Sequence, residues 1–200
     1  MRLYCIILLF AFTYIKGFAQ EKEPHIPRWY VPDFAAVQYA GSIGFFSIGA
    51  GYDLFKEKAN VDLLFGYVPP AYAGDGAIRT MTLKFTGEVI RLQPNPTTLI
   101  HPLTIGTYFN YTFGHEYSSD LPAWYPNGYY WWSEAVRVNV FIGGNVRFIT
   151  NRLQQGSKVT AYYEIGTNEI KLASYTQNVH ALNIWSILHA GIGVRYHFAK

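Results

Sequence analysis

Along most of the chain, apolar and polar residues alternate with a period of two. In "AVRVNVFIGGNVRF", Val136, Val138, Val140, Ile142, Val146 and Phe148 share one side. Arg137, Asn139, Gly143, Asn145 and Arg147 share the other, with Phe141 the one apolar intruder. "TMTLKFTGEVI" sets Met81, Leu83, Phe85 and Val89 against Thr80, Thr82, Lys84, Thr86 and Glu88. "PLTIGTYFNYTFG" sets Leu103, Ile105, Phe109, Tyr111 and Phe113 against Thr104, Gly106, Tyr108, Asn110 and Thr112. "FFSIGAGYDLF" opposes Phe46, Ile48, Ala50, Tyr52 and Leu54 to Ser47, Gly49, Gly51 and Asp53. "VTAYYEIG" opposes Val159, Ala161, Tyr163 and Ile165 to Thr160, Tyr162 and Glu164. In the last segment, Leu188, Ala190, Ile192, Val194, Tyr196 and Phe198 oppose His189, Gly191, Gly193, Arg195 and His197. Successive side chains of a strand point to opposite faces, so each segment predicts a strand. "AAVQYAGSI" near 35–43 and "VDLLFGYV" at 61–68 complete a set of eight. No long helical pattern competes.

The composition of the two faces decides which one is inside. The polar faces are rich in Gly, Thr, Ser and Asn, with scattered charges. A face turned to water usually carries more Lys and Glu, whereas a narrow barrel interior has room only for small groups and a few paired charges. Tyr and Trp crowd the strand ends, as interfacial girdles require. The expectation is an all-β, eight-stranded antiparallel transmembrane barrel over 35–198, apolar outside and polar inside. A lipocalin-like barrel or a sandwich, with the faces reversed, is the soluble alternative. "KEKAN" (56–60), "QPNPTT" (93–98) and "NRLQQGS" (151–157) read as periplasmic turns. "PPAYAGDG" (69–76), "EYSSDLPAWYPNGYYWW" (116–132) and "NEIKLASYTQNVHALN" (168–183) read as outer loops.

The ends place the chain in the cell. "MRLYCIILLFAFTYIKGFAQ" has a basic start, an apolar run from Leu3 to Ile15 and a small-x-small ending at Gly17-Phe18-Ala19. That is the pattern of a secretory signal peptide over 1–19, with a periplasmic lead-in over 20–34. The run is shorter than the roughly 20 residues of a spanning helix. Cys5, the only cysteine, falls inside it, so the exported chain has no thiol chemistry. Taking Arg2 and Lys16 from 16 basic residues leaves 14 against 13 acids, a net of about +1. No basic stripe speaks for nucleic acid. The expected location is the outer membrane of a Gram-negative bacterium. The expected partners are its lipid and lipopolysaccharide, and the barrel-assembly machinery during insertion. Phe198 resembles the terminal aromatic by which such barrels are recognised, though Ala199 and Lys200 follow it.

Candidate chemistry falls in three places. Asp53, Lys84, Glu88, Arg137, Arg147, Glu164, His189, Arg195 and His197 lie on the polar faces. They read as a lumenal ion-pair network, because unpaired charge there would be costly; a proton relay or narrow channel is the alternative. "HEYSSDLPAW" offers His115, Ser118 or Ser119, and Asp120, the parts of an activated nucleophile. Loops also collect Ser and Asp for turn formation. Trp124, Tyr125, Tyr129, Trp131 and Trp132 read as an interfacial girdle or a binding surface for glycan or protein. No metal or other cofactor is expected: His189 and His197 are more than about 25 Å apart along one strand, and no phosphate-binding motif occurs.

The layout resembles the lipid A 3-O-deacylase family of outer-membrane barrels. The resemblance lies in "SIGAGYDLF", "VDLLFGYV", "MTLKFTGEVI", "HPLTIGTYF", "YYEIGTNEI" and "HAGIGVRYHF". It implies an eight-stranded barrel and, in that family, ester hydrolysis by a Ser-His pair in an H-x-S motif on the seventh strand. The seventh strand here, "VTAYYEIGTNEIKLAS", has no histidine, so the activity does not carry over. The functional expectation is a non-catalytic barrel serving envelope integrity or surface interaction through its outer loops. A lipid A or phospholipid acyl hydrolase and a narrow channel are the alternatives.

Overall fold

Alternation at this length leaves each strand one apolar face to bury or to turn outward, and closing the sheet removes its edges. The computed structural model describes residues 30–74, 76–114, 135–150, 156–179 and 181–199. Residues 32–199 belong to one compact unit. In chain order its elements are β1 (Phe34–Ala40), β2 (Phe46–Leu54), β3 (Ala59–Val68), α1 (Pro70–Ala73), β4 (Ile78–Glu88) and β5 (Leu92–Asn95). Then come β6 (Thr98–Phe113), β7 (Val136–Thr150), β8 (Ser157–Asn168), α2 (Glu169–Gln177), α3 (Ile184–Ile187) and β9 (His189–His197). All pairings are antiparallel. β1 pairs with β9 and β4 with β6, which closes a ring of eight strands. Phe34 opposite His197 marks the end where the first and last strands meet, called the floor below; the other end is the mouth.

Two details depart from the strand pattern read in the sequence. β5 prolongs β4 across a break at 89–91: Glu88 opposite Thr104 and Leu92 opposite Ile100 keep one register. The turn read over 93–98 therefore shrinks to a tip at Pro96-Thr97, where Asn95 Oδ1 accepts from the N and Oγ1 of Thr97. β6 starts four residues earlier than the alternation from Pro102 indicates. Its register against β7 shifts between His101 and Thr104, a bulge that inserts one residue and exchanges the faces. Leu99 and His101 are buried before it, Thr104, Tyr108 and Asn110 after it. Pro102, with no N–H to give, falls where the ladder is interrupted. The stretch 168–183, read as loop, contains α2, whose first turn is capped by Asn168 Oδ1 accepting from Lys171 N at 2.8 Å.

The barrel is inside-out. Ile48, Ile142 and Ile192 are 58%, 58% and 60% exposed, while Lys84, Asp62 and Gln38 are fully buried. An eight-stranded barrel is about filled by its own side chains, and here rings do part of the filling. Tyr162 lies opposite Gly193, and a Cβ on that glycine would stand 2.3 Å from the tyrosine Cζ. Phe141 lies opposite Gly106 in the same way, again at 2.3 Å. The glycines of the polar faces thus make room for rings lying flat on the neighbouring strand.

Candidate functional site: a layered polar lumen

Inward positions from all eight strands meet in three layers. The middle layer is a closed polar network. Lys84 Nζ donates to Glu164 Oε2 at 2.9 Å and to Gln38 Oε1 at 2.5 Å. Gln38 Nε2 donates to the other oxygen of Glu164, and the Tyr162 hydroxyl donates to Gln38 Oε1 at 2.9 Å. Arg195 grips Asp62 with two bonds, Nε to Oδ1 at 3.1 Å and Nη2 to Oδ2 at 2.8 Å. Tyr162 lies between the two cations, with Lys84 Nζ 4.8 Å and Arg195 Cζ 4.6 Å from its ring centre. Two acids and two bases cancel, and each is at most 2% exposed. Buried charge is tolerable only when paired and hydrogen-bonded, and forked arginine–carboxylate pairing meets that demand best.

The floor layer is organised by Arg147. Its Nη1 donates to Glu57 Oε2 at 2.8 Å, its Nη2 to Glu88 Oε1 at 3.0 Å and its Nε to Thr160 Oγ1 at 3.2 Å. Lys158 donates to the second oxygen of Glu57. His101 Nδ1 bonds Asn145 Oδ1 at 2.9 Å, and its Nε2 lies 2.8 Å from Glu88 Oε2 without the alignment of a hydrogen bond. His197 bridges Asp53 Oδ2 (3.1 Å) and Thr160 Oγ1 (3.2 Å). Glu57 stands in the β2–β3 turn. Burial pushes its carboxyl pKa up, but the Lys158 hydrogen bond and the charges of Lys158 and Arg147 outweigh this and hold it below the usual value of 4.5.

The mouth is stopped by the β1–β2 turn, folded into the barrel. Ile43 at its tip is fully buried. The turn's carbonyls are taken up by lumenal side chains: Gly41 O by the Tyr108 hydroxyl, Ser42 O by Asn110 Nδ2 at 3.0 Å, and Ile43 O by Thr80 and Ser47. The Tyr108 hydroxyl also lies 2.8 Å from His189 Nε2. Ala40, Gly41 and Ser42 all have positive φ (59°, 81° and 66°), the conformation this inward fold requires.

The residues singled out in the sequence are thus distributed. Lys84, Glu164 and Arg195 stand in the middle layer; Asp53, Glu88, Arg147 and His197 stand at the floor. His189 belongs to the mouth, and Arg137, 27% exposed, lies 3.9 Å from Glu169 of α2. His115, Ser118, Ser119, Asp120, Trp124, Tyr125, Tyr129, Trp131 and Trp132 lie outside the described residues. Asp62, Gln38, Glu57 and His101 join the network without having been singled out. Among the described residues, no three histidine or carboxylate side chains converge as a metal site. Comparisons with family models, with curated proteins and with solved structures find no significant match to this chain. The geometry alone defines the class: a closed eight-stranded antiparallel barrel with a charged, filled interior.

Proposed function

We propose that this chain is an exported, non-catalytic barrel of a bacterial outer membrane, which serves envelope integrity or surface interaction through its outer loops. The observation that carries the reading is the inversion of the wall. Outward Ile, Val, Leu and Phe side chains stand exposed on strand after strand, whereas a water-soluble monomer usually confines exposed apolar surface to patches of a few hundred Å². A bilayer removes that cost, and a closed barrel satisfies every backbone group while crossing it. The signal-peptide pattern of residues 1–19 supports export. The middle layer favours structure over transport, because Lys84, Glu164, Arg195 and Asp62 span the lumen with their hydrogen bonds spent inside the network.

Expression from the full chain, followed by fractionation and gel electrophoresis with and without boiling, tests this. The expected result is a protein in the outer-membrane fraction whose compact form unfolds only on heating. Recovery in the soluble periplasm would sink the proposal. Mass spectrometry of lipid A from cells lacking and regaining the gene decides the acyl-hydrolase alternative: an acyl chain lost or gained would make the protein an enzyme. Unitary steps in planar bilayers would make it a channel.

A further inference from the structure

The outer wall carries a feature that the alternation alone does not foretell. One register row runs across five neighbouring strands, from β1 through β9, β8 and β7 to β6: Val37, Val194, Ala161, Val146 and Ile100. All five are small or aliphatic. One step toward the mouth, the next row carries Tyr39, Ile192 and Tyr163, which stand out from the wall at 47%, 60% and 51% exposure. Beneath this ridge, along the aliphatic row, lies a furrow of about 630 Å³ with an almost wholly apolar lining. Its volume falls in the range of roughly 300–1,000 Å³ seen for sites that hold small molecules.

Two local features open the furrow at its β6 end. The bulge at Pro102-Leu103 interrupts the wall there. Gly144 gives up a side chain, so that the Tyr163 ring can swing across it: a Cβ at Gly144 would stand 3.0 Å from Tyr163 Cε1. Four strand spacings of about 4.8 Å make the row some 19 Å long, the scale of one extended acyl chain. Strands of a membrane barrel tilt by roughly 35–45°, so a row perpendicular to them descends obliquely through the bilayer.

We propose that this furrow holds one acyl chain of a membrane lipid as a retained, stoichiometric ligand. The inference rests on the membrane reading above. Hydrocarbon is the partner that the lining fits, because it offers dispersion contact along its length and leaves no polar group unpaired. A wall without such a ridge would exchange its lipid freely. Here the aliphatic row forms the base and Tyr39, Ile192 and Tyr163 the side against which a chain is held.

The test uses the full exported chain, refolded into vesicles of phosphatidylcholine with dipalmitoyl phosphatidylglycerol as probe, extracted in mild detergent and weighed by native mass spectrometry. Wild type should keep one phospholipid per chain. Ala161→Phe and Val194→Phe fill the furrow from its base while pointing away from the lumen, and each should lower the retained fraction about tenfold. Ala190→Phe, outward on β9 but outside the furrow, should leave retention unchanged. The heat-dependent gel shift reports that each variant has closed its barrel. Wild type without retained lipid, or furrow and control variants that retain it equally, would overturn the proposal while the membrane reading stands. A wild-type chain that never enters the vesicles would overturn both.

Discussion

The middle and floor layers of the lumen solve one problem, charge inside a barrel, by different means. In the middle, every partner sits on a strand: Asp62 on β3, Lys84 on β4, Glu164 on β8 and Arg195 on β9. Neither β4 and β8 nor β3 and β9 are paired, so the partners meet across the closed lumen, and both ion pairs are sealed from solvent. At the floor, Arg147 is as deeply buried, but one of its acids, Glu57, comes from a turn and is 37% exposed. That turn holds three consecutive non-glycine residues, Phe55, Lys56 and Glu57, at positive φ (52°, 58° and 65°). Each such residue costs roughly 1–2 kcal/mol. The strand-built layer is therefore rigid and unforgiving. The turn-built one is strained, and its Glu57 contacts are screened by water while Arg147 and Glu88 stay sealed.

The sharpest way to break this contrast is Asp62→Ala. It leaves the Arg195 guanidinium buried with its forked partner gone, and removing one member of a buried pair costs about 3–5 kcal/mol. Urea unfolding of the refolded barrel in micelles should show a loss of that size. Adding Arg195→Met should restore most of it, because an apolar pair of similar volume often matches a buried ion pair. A loss under about 1 kcal/mol for Asp62→Ala would mean that water reaches the middle layer, and the two layers would then differ in degree only.

A smaller effect should follow from Gly193→Val. The added branches collide with the Tyr162 ring, which separates Lys84 from Arg195 and contacts both. Overpacking of this kind costs about 1–3 kcal/mol. Gly193→Val combined with Tyr162→Ala should recover part of the loss by clearing the space. If the double variant is less stable than Gly193→Val alone, the cation–ring contacts of Tyr162 outweigh the relief of the collision.

The same contrast shows what could be read from the sequence. Alternation located Lys84, Arg147, Glu164 and Arg195, because each stands among clear polar neighbours on a regular strand. It placed Tyr108 and Tyr162 on the polar face as well, without assigning them a partner. Asp62 escaped because "VDLLFGYV" has three consecutive large apolar residues, and the inward Leu64 hides the period. His101 escaped because the bulge at Pro102-Leu103 exchanges the faces, and no pattern of period two carries across an inserted residue. Glu57 escaped for a different reason. A turn has no face, and its position under Arg147 depends on three left-handed backbone angles that composition does not announce. Gln38 needed the closure of β1 on β9 before its contacts with Lys84, Glu164 and Tyr162 could exist.

The smallest expected effect sharpens the comparison through pH. The Glu57 carboxyl has a folded-state pKa below its ordinary 4.5, because its cation partners prevail over burial. The folded state therefore binds a proton less readily than the unfolded one, and Glu57 adds stability that is complete above the ordinary value. That stability is lost as the pH falls through the folded value. Exposure and screening keep the contribution under about 1 kcal/mol. Glu57→Gln removes the titration while keeping a hydrogen-bonding side chain of the same shape. At pH 7 the variant should be less stable than wild type by that amount, and the gap should close as the pH falls below 4.5. Because the other acids titrate in both proteins, the difference between them isolates Glu57. No gap at any pH would mean that Glu57 holds the strained turn by shape alone, and that the charge of Arg147 is met by Glu88 without it.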